Sequence, residues 1–443
     1  MVMQQQMMVR VVMGALVAGR APLVERGCVR YHKFRFDTGR AGWPCLRTLT
    51  EVCMELSNRI QGLTGGGSDG WDVFYKARRM IGAGVGVTEL TIGEHDIRTD
   101  QSILDAMHHS ASGGHTGYAM VPGTDALRDA VAARLTARTG VHTTRDNVVV
   151  TPGGQSALFS AHHALCDEGD VALYCDPYYA TYPGTVRSVG AVPRAVPCLP
   201  ENAFQPTFSD IAAKSEGAKS LLVNTPNNPT GVVYSRETVE GIARACCEYD
   251  MWCISDEVYD TQVWDGTHIS PRTLDGMAER TLVVGSMSKS HAMTGSRIGW
   301  IVGPEDAVEN LINLATHTTY GVPGYIQDAA VFALGEGLAL EEKVAEPFRR
   351  RRAIGQNILA EQNVVGLVPS EGAMYMMLDV RSTGLSGEDF ADKLLDAHHI
   401  AVMPGESFGA SAAGHVRVAM TVEDSAFEAS LKTLVGFAKE IQP

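Results

Sequence analysis

The sequence predicts an α/β protein: a mostly parallel sheet covered by helices on both faces, followed by a smaller α+β unit. Three observations carry this. Seven short β-rich runs bounded by Gly, Pro, Asp or Asn recur between residues 147 and 302. The gaps between them often hold stretches with helical amphipathic spacing. Beyond residue 335 the composition changes to a long charged segment and three further apolar runs. Strands that alternate with helices indicate a parallel sheet, because parallel neighbours need a crossover between them.

In chain order the seven runs are "NVVV" (147–150), "VALYC" (171–175), "AVPRAV" (191–196), "SLLVN" (220–224), "MWCIS" (251–255), "TLVVG" (281–285) and "IGWIV" (298–302). "QSALFSAHHAL" and "ETVEGIARACCEY" are the clearest intervening helices. After residue 335 the charged stretch "EEKVAEPFRRRRAIGQNILAEQ" predicts a helix of about two dozen residues, and "GAMYMMLDV", "AVMPGESFG" and "HVRVAM" follow it. At the other end "MELSNRIQGL" is expected to open the first helix at Met54. Residues 1–53 precede it with eight Lys/Arg against three acids and no evident partner strand. They read as a dispensable extension, a targeting segment or a mis-assigned start.

The bulk properties exclude several classes. The 443 residues suffice for two or three compact units. Hydrophobic residues at 45% and charged residues at 20% suit a globular enzyme better than a disordered tail. A formal charge of -14, from 37 basic and 51 acidic side chains, disfavours a protein that tracks a nucleic-acid backbone. No apolar run reaches the ~18 to 20 residues of a membrane helix. Nine scattered cysteines without a CxxC pair read as reduced, mostly buried thiols of a cytoplasmic protein. The pairs His108-His109, His162-His163 and His398-His399 are poor metal sites, because sequence neighbours rarely converge on one ion.

In a doubly covered parallel sheet, ligands bind at the carboxyl ends of the strands. The loops expected there are polar: "TPGGQSAL", "DPYYATY", "TPNNPTG", "DEVYD" and "SMSKS". The last contains Lys289, the only Lys, Arg, Asp or Glu between Arg280 and Arg297. A phosphate-loop role fails, since Ser288 and not glycine precedes the lysine. The remaining common use is a Schiff base with a carbonyl cofactor, usually pyridoxal phosphate. Its demands find candidates. Gly154, Gln155 and Ser156 would open a helix with free N–H groups for a phosphate, joined by Ser286 and Arg297. Asp256 would pair with the pyridine nitrogen, or would be a plain helix cap. Asn228 and Tyr259 can donate to the phenolic oxygen, and Tyr179 can lie on the ring.

Over residues 54–440 the chain resembles the fold-type I pyridoxal-phosphate aminotransferases of class I/II, most of all the bacterial I-gamma group. The resemblance rests on "LTIGEHDIRTDQSI", "GYAMVPGTDALRDAVAARL", "TPGGQSAL", "NTPNNPTG", "SDEVYD", "SMSKSHAMTGSRIGW", "MPGESFG" and "HVRVAM", in the family's order. It implies a seven-stranded large domain over 101–335 and a small domain built from 54–100 and 336–443. It also implies that Lys289 is the Schiff-base lysine that carries the substrate's α-proton, and that Arg417 binds the substrate α-carboxylate near Gly93 and Asn228. Tyr118 matches a tyrosine that reaches the phosphate of the neighbouring subunit, which implies a homodimer with shared sites. Two departures are expected to alter the pocket lining: His95 where proline is usual, and Ser296 where tryptophan is common.

Other readings weigh less. "GESFG" (405–409) fits a serine-hydrolase elbow, but the only later histidine, His415, precedes the remaining acids, so the triad order fails. β-Lyases and decarboxylases share the fold; C–S lyases of similar sequence typically have histidine where Tyr259 stands, which favours transamination. A regulator would carry a DNA-binding unit, and none is evident. The substrates implied are an amino acid and a 2-oxo acid. In the aspartate-specific relatives a lysine commonly stands at the position of Gln155. Its absence predicts a preference for neutral or bulky donors over aspartate, with pyruvate or 2-oxoglutarate as acceptor.

Overall fold

The computed structural model describes residues 29–31, 52–65 and 70–443, of which 29–31 and 52–54 are described by backbone alone. The chain divides into two units, residues 1–62 and 63–443. In the first, β1 (Val29–Tyr31) pairs antiparallel with β2 (Val52–Met54). That pairing corrects the expectation that residues 1–53 have no partner strand; the rest of that segment lies outside the described residues. The helix expected from Met54 is also corrected, to the single turn Asn58–Gln61. Met54 belongs to a strand, Ser57 caps the turn through the Ile60 N–H at 3.4 Å, and the turn buries none of its residues. So short a helix gains too little to propagate.

The second unit contains β3 (Thr88–Leu90), β4 (Val148–Thr151), β5 (Val171–Asp176), β6 (Val192–Pro197), β7 (Ala218–Asn224), β8 (Trp252–Asp256), β9 (Thr281–Ser286) and β10 (Gly299–Val302). The smaller part adds β11 (Gly366–Leu367), β12 (Tyr375–Asp379), β13 (Ile400–Pro404) and β14 (His415–Ala419). All seven runs expected of the large sheet are strands. Their order is β4-β10-β9-β8-β7-β5-β6, and only β10 runs against its neighbours. Every residue of β4, β9 and β10 is buried, as a sheet with helices on both faces requires.

The helices between the strands start where short polar side chains satisfy free N–H groups. Ser235 accepts from Thr238 N at 3.1 Å to open Arg236–Glu248, and Asp100 accepts from Ser102 N at 2.9 Å to open Gln101–Ser112. The expected charged helix spans Leu338–Ala360. It covers a second sheet of order β11-β12-β14-β13-β3, in which β3 lies parallel to β13. The segment before residue 100 is thereby woven into the C-terminal sheet. Phe348, Phe390 and Phe427 are fully buried in the core beneath that sheet, each worth about 1.5 to 3 kcal/mol in transfer from water. Of the six cysteines described with side chains, five are buried and Cys247 is exposed.

Candidate active site

The carboxyl ends of β7, β8 and β9 are brought level by register: Asn224 pairs with Asp256, and Asp256 with Val284. The loops after them, and the loop after β3, enclose a cavity of about 320 Å³. Among its lining residues are Gly93, Gly154, Gln155, Tyr179, Asn228, Asp256, Tyr259, Ser286, Lys289, Arg297 and Arg417. Eleven residues picked out in the sequence therefore meet in one space.

Lys289 sits in the short helical turn Met287–Ser290 directly after β9. Its Nζ donates to the Gly93 carbonyl, and burial pushes its pKa below the usual lysine value. Gly93 must be glycine, because a Cβ there would lie 1.8 Å from Tyr375 Oη. Asp256 accepts from Tyr182 Oη at 2.7 Å and from Val258 N at 3.3 Å. Burial nevertheless raises its carboxyl from 3.8 to about 6. Its backbone carbonyl is held by Asn224 Nδ2 at 2.9 Å, while Asn224 Oδ1 accepts from Asn228 N at 2.8 Å. The carboxylate and the amide therefore hang from one rigid frame.

Arg417, on β14, is 1% exposed. It donates to Asn228 Oδ1 at 2.8 Å and to the Thr91 carbonyl, and its guanidinium lies 4.4 Å from the ring centres of both Tyr375 and Phe408. Its Nε is buried without a hydrogen-bond partner among the described residues. Burial lowers its pKa, yet an arginine stays charged. On the opposite side the helix Gly154–Leu165 starts without a side-chain cap, so its first N–H groups point outward at its positive end. Gly153 there has φ 80°, and a Cβ on it would lie 2.4 Å from an Arg297 nitrogen. Arg297 can thus lie against the turn that begins the helix. Ser286 Oγ bonds both Ser288 Oγ at 3.0 Å and the Ile298 carbonyl at 3.1 Å.

Two expectations, that His95 and Ser296 alter the pocket lining, need correction. Ser156, the third residue of the helix, lines a neighbouring cavity of about 790 Å³ and not the first, which leaves its main-chain N–H in the first turn as the group available to an anion. Gln155 lines both cavities, and its amide is held by Thr185 Oγ1 at 2.8 Å and Thr181 Oγ1 at 3.0 Å. His95 and Ser296 do not line the pocket, contrary to their expected effect on it. His95 is buried behind the lysine, with Nε2 at 3.1 Å from the Lys289 carbonyl. Tyr118 lies outside its own chain's cavity, 90% exposed and edge-on to Tyr320. Trp71, Glu94, Tyr182 and Tyr375 also line the cavity, and sequence reasoning alone misses them. Tyr182 ends the quoted "DPYYATY" and Tyr375 lies within "GAMYMMLDV", but neither position has a spacing that announces its partner.

An amine of lowered pKa, a buried carboxylate, a buried arginine, and a helix N-terminus with a second arginine make a donor set that fits a phosphorylated pyridine aldehyde together with an amino acid. Comparison with known proteins decides the family. The family described as aminotransferase class I and II matches residues 85–434. The chain is a class I/II aminotransferase. It is 40% identical over 370 residues to arginine–pyruvate transaminase of Pseudomonas aeruginosa, covering 83% of this chain and 94% of that protein. It is 33% identical over 381 residues to aspartate/prephenate aminotransferase of Thermus thermophilus, covering 85% of this chain and 97% of that protein. The solved aspartate aminotransferase of Thermus thermophilus with maleate superposes with a TM-score of 0.81, covering 87% of this chain and 99% of that one at 33% identity. As an aminotransferase the protein uses pyridoxal phosphate, has the fold-type I architecture, and moves an amino group between amino acids and 2-oxo acids. No helix among the described residues is long and apolar enough to cross a membrane.

Proposed function

We propose that this aminotransferase takes L-amino acids with neutral or positively charged side chains as donors and a 2-oxo monocarboxylate such as pyruvate as acceptor. One observation carries the reading. Of the charged side chains that line the cavity, Lys289, Arg297, Arg417 and Asp256 are engaged by cofactor and α-carboxylate in the roles given below, and the one left is Glu94. The position where a distal carboxylate would need a cation holds Gln155, whose amide is already bonded to two threonines. An acidic side chain would enter beside a carboxylate and without a partner, which is costly in a closed pocket. A cationic one would meet Glu94. The name of the Pseudomonas relative points to arginine within this class.

The bound cofactor supplies an electron sink for the charge left when the substrate's α-proton departs. The chain's residues supply the rest. Arg417 binds the α-carboxylate, with Asn228 fixing the plane of its guanidinium. Lys289 would hold the cofactor, and its amine, kept neutral by burial, would be the group that accepts and returns the α-proton. Asp256, oriented by Tyr182, pairs with the pyridine nitrogen, and Asn228 and Tyr259 donate to the phenolic oxygen. Tyr179 covers the ring. Arg297, Ser286 and the N–H groups of Gly154, Gln155 and Ser156 hold the phosphate. Tyr118 reaches the phosphate of a second copy in a homodimer, supported by the exposed group of Tyr118, Met120 and Tyr320.

The test is a single-turnover half-reaction with arginine, leucine, methionine and aspartate, read from the cofactor's absorbance. Arginine or a neutral donor is expected to exceed aspartate in kcat/KM. Gln155→Lys should then raise aspartate relative to arginine by about ten- to a hundredfold, the worth of a hydrogen bond to a charge. Aspartate ahead of every other donor in the unaltered enzyme would overturn the reading.

A further inference from the structure

The main-chain carbonyl of Lys289 sits at the end of a four-residue helical turn, where helix geometry provides no acceptor pairing of its own. In a buried place such an oxygen needs donors. It receives two. His95 Nε2 lies at 3.1 Å and Gln262 Nε2 at 3.2 Å. They come from different elements: His95 from the loop after β3, next to the Gly93 carbonyl that accepts Lys289 Nζ, and Gln262 from the loop that follows Asp256 at the end of β8 and carries Tyr259.

The remaining polar atoms of these two side chains tell what they are for. His95 Nδ1 and Gln262 Oε1 are both buried without a hydrogen-bond partner among the described residues. Each side chain therefore leaves one polar atom unpaired in the interior and bonds the lysine carbonyl with the other. Such an arrangement costs stability, and an apolar side chain of similar size would avoid that cost. His95 is also held in place: its ring meets Phe348 edge-on at 5.4 Å, and its neighbour Asp96 is clamped by Arg351 at 2.7 and 2.9 Å. Burial, helped by Lys289, pushes the imidazole pKa down to about 3, so it is neutral near pH 7 and donates through Nε2–H.

We propose that His95 is a positioning residue for the cofactor-binding lysine: with Gln262 it clamps the Lys289 carbonyl and so fixes the point from which the amine reaches into the site. This rests on the reading of Lys289 as the attachment residue. A lysine whose main chain is free to shift must search for the carbonyl it attacks, so loss of the clamp slows covalent attachment without removing any group that touches the cofactor.

The experiment strips the full-length chain of cofactor, adds pyridoxal phosphate and follows covalent attachment by absorbance. Pyridoxamine phosphate, which occupies the same place but forms no bond to lysine, is titrated in parallel by fluorescence. His95→Phe is expected to slow attachment roughly three- to tenfold, the rate worth of one hydrogen bond, while pyridoxamine phosphate binds with unchanged affinity. His95→Gln, which keeps a donor, should recover most of the rate. Gln262→Met removes the other donor independently and carries the test if His95→Phe does not fold. Attachment at the wild-type rate in these variants overturns the proposal, as does a loss of pyridoxamine phosphate affinity in step with the rate. Borohydride reduction of the unaltered enzyme separates the premise from the proposal, since a label on another lysine would refute the reading of Lys289 itself.

Discussion

Replacing Asp256 by asparagine should stabilise the cofactor-free chain at neutral pH while abolishing transamination. The carboxyl is 5% exposed and burial raises it from 3.8 to about 6, against the opposing donors Tyr182 and Val258. A folded value above the unfolded one means that the folded chain binds the extra proton between those two pH values. Stability is therefore lost as pH rises through that window, and the loss is complete above 6. At about 1.4 kcal/mol per pH unit the penalty at pH 8 is on the order of 3 kcal/mol. At pH 5 roughly half of it is present, so the advantage of Asp256→Asn should grow by about 1.4 kcal/mol from pH 5 to pH 8. The asparagine Oδ1 can still accept from Tyr182, which limits other losses. Urea unfolding of both chains at the two pH values measures the difference. On the proposed pairing of Asp256 with the ring nitrogen, turnover of the loaded variant should fall by at least about a hundredfold. A stability difference that stays flat with pH, or that reverses sign, would refute the reasoning about burial.

Two further outcomes follow from the same site. Lys289→Ala should retain no covalent cofactor, and borohydride reduction of the unaltered protein followed by peptide mapping should place the label on Lys289. Tyr118→Phe should weaken cofactor retention by about 1 kcal/mol, the net worth of one hydrogen bond, and sedimentation of the unaltered protein should give a dimer; an active monomer would rule out the shared site.

Elements with a short, regular pattern were legible in the sequence. The strands of the large sheet are runs of buried apolar residues between turn formers, and the functional side chains at their ends follow at once from the ligand-binding edge of a parallel sheet. What could not be read is how side chains from distant segments meet. Tyr375 and Tyr259 share a hydrogen bond of 3.0 Å across 116 residues, and Tyr182 reaches Asp256 across 74. Neither pairing leaves a periodic trace. The sequence marks Gln155 as a position of consequence, but its capture by Thr181 and Thr185 depends on the course of the chain after β5. His95 stands out in the sequence, but which surface it faces is set by packing against Phe348, a contact no local pattern shows. At the N-terminus, β1 and β2 are three residues each, too short to show a periodic pattern in the sequence.

The placement of β3 beside β13 has a consequence for how the protein comes into being. Arg417 reaches the Thr91 carbonyl across 326 positions of chain, and Gly93, from the same early loop, accepts the amine of Lys289. A ribosome making this chain finishes all seven strands of the large sheet by residue 302, yet β14 and its arginine are still unmade. The early loop must therefore wait, with its strand β3 unpaired, until β13 has been made about three hundred residues later. The large sheet can mature during synthesis, whereas the contact between Arg417 and the early loop has to wait for β14.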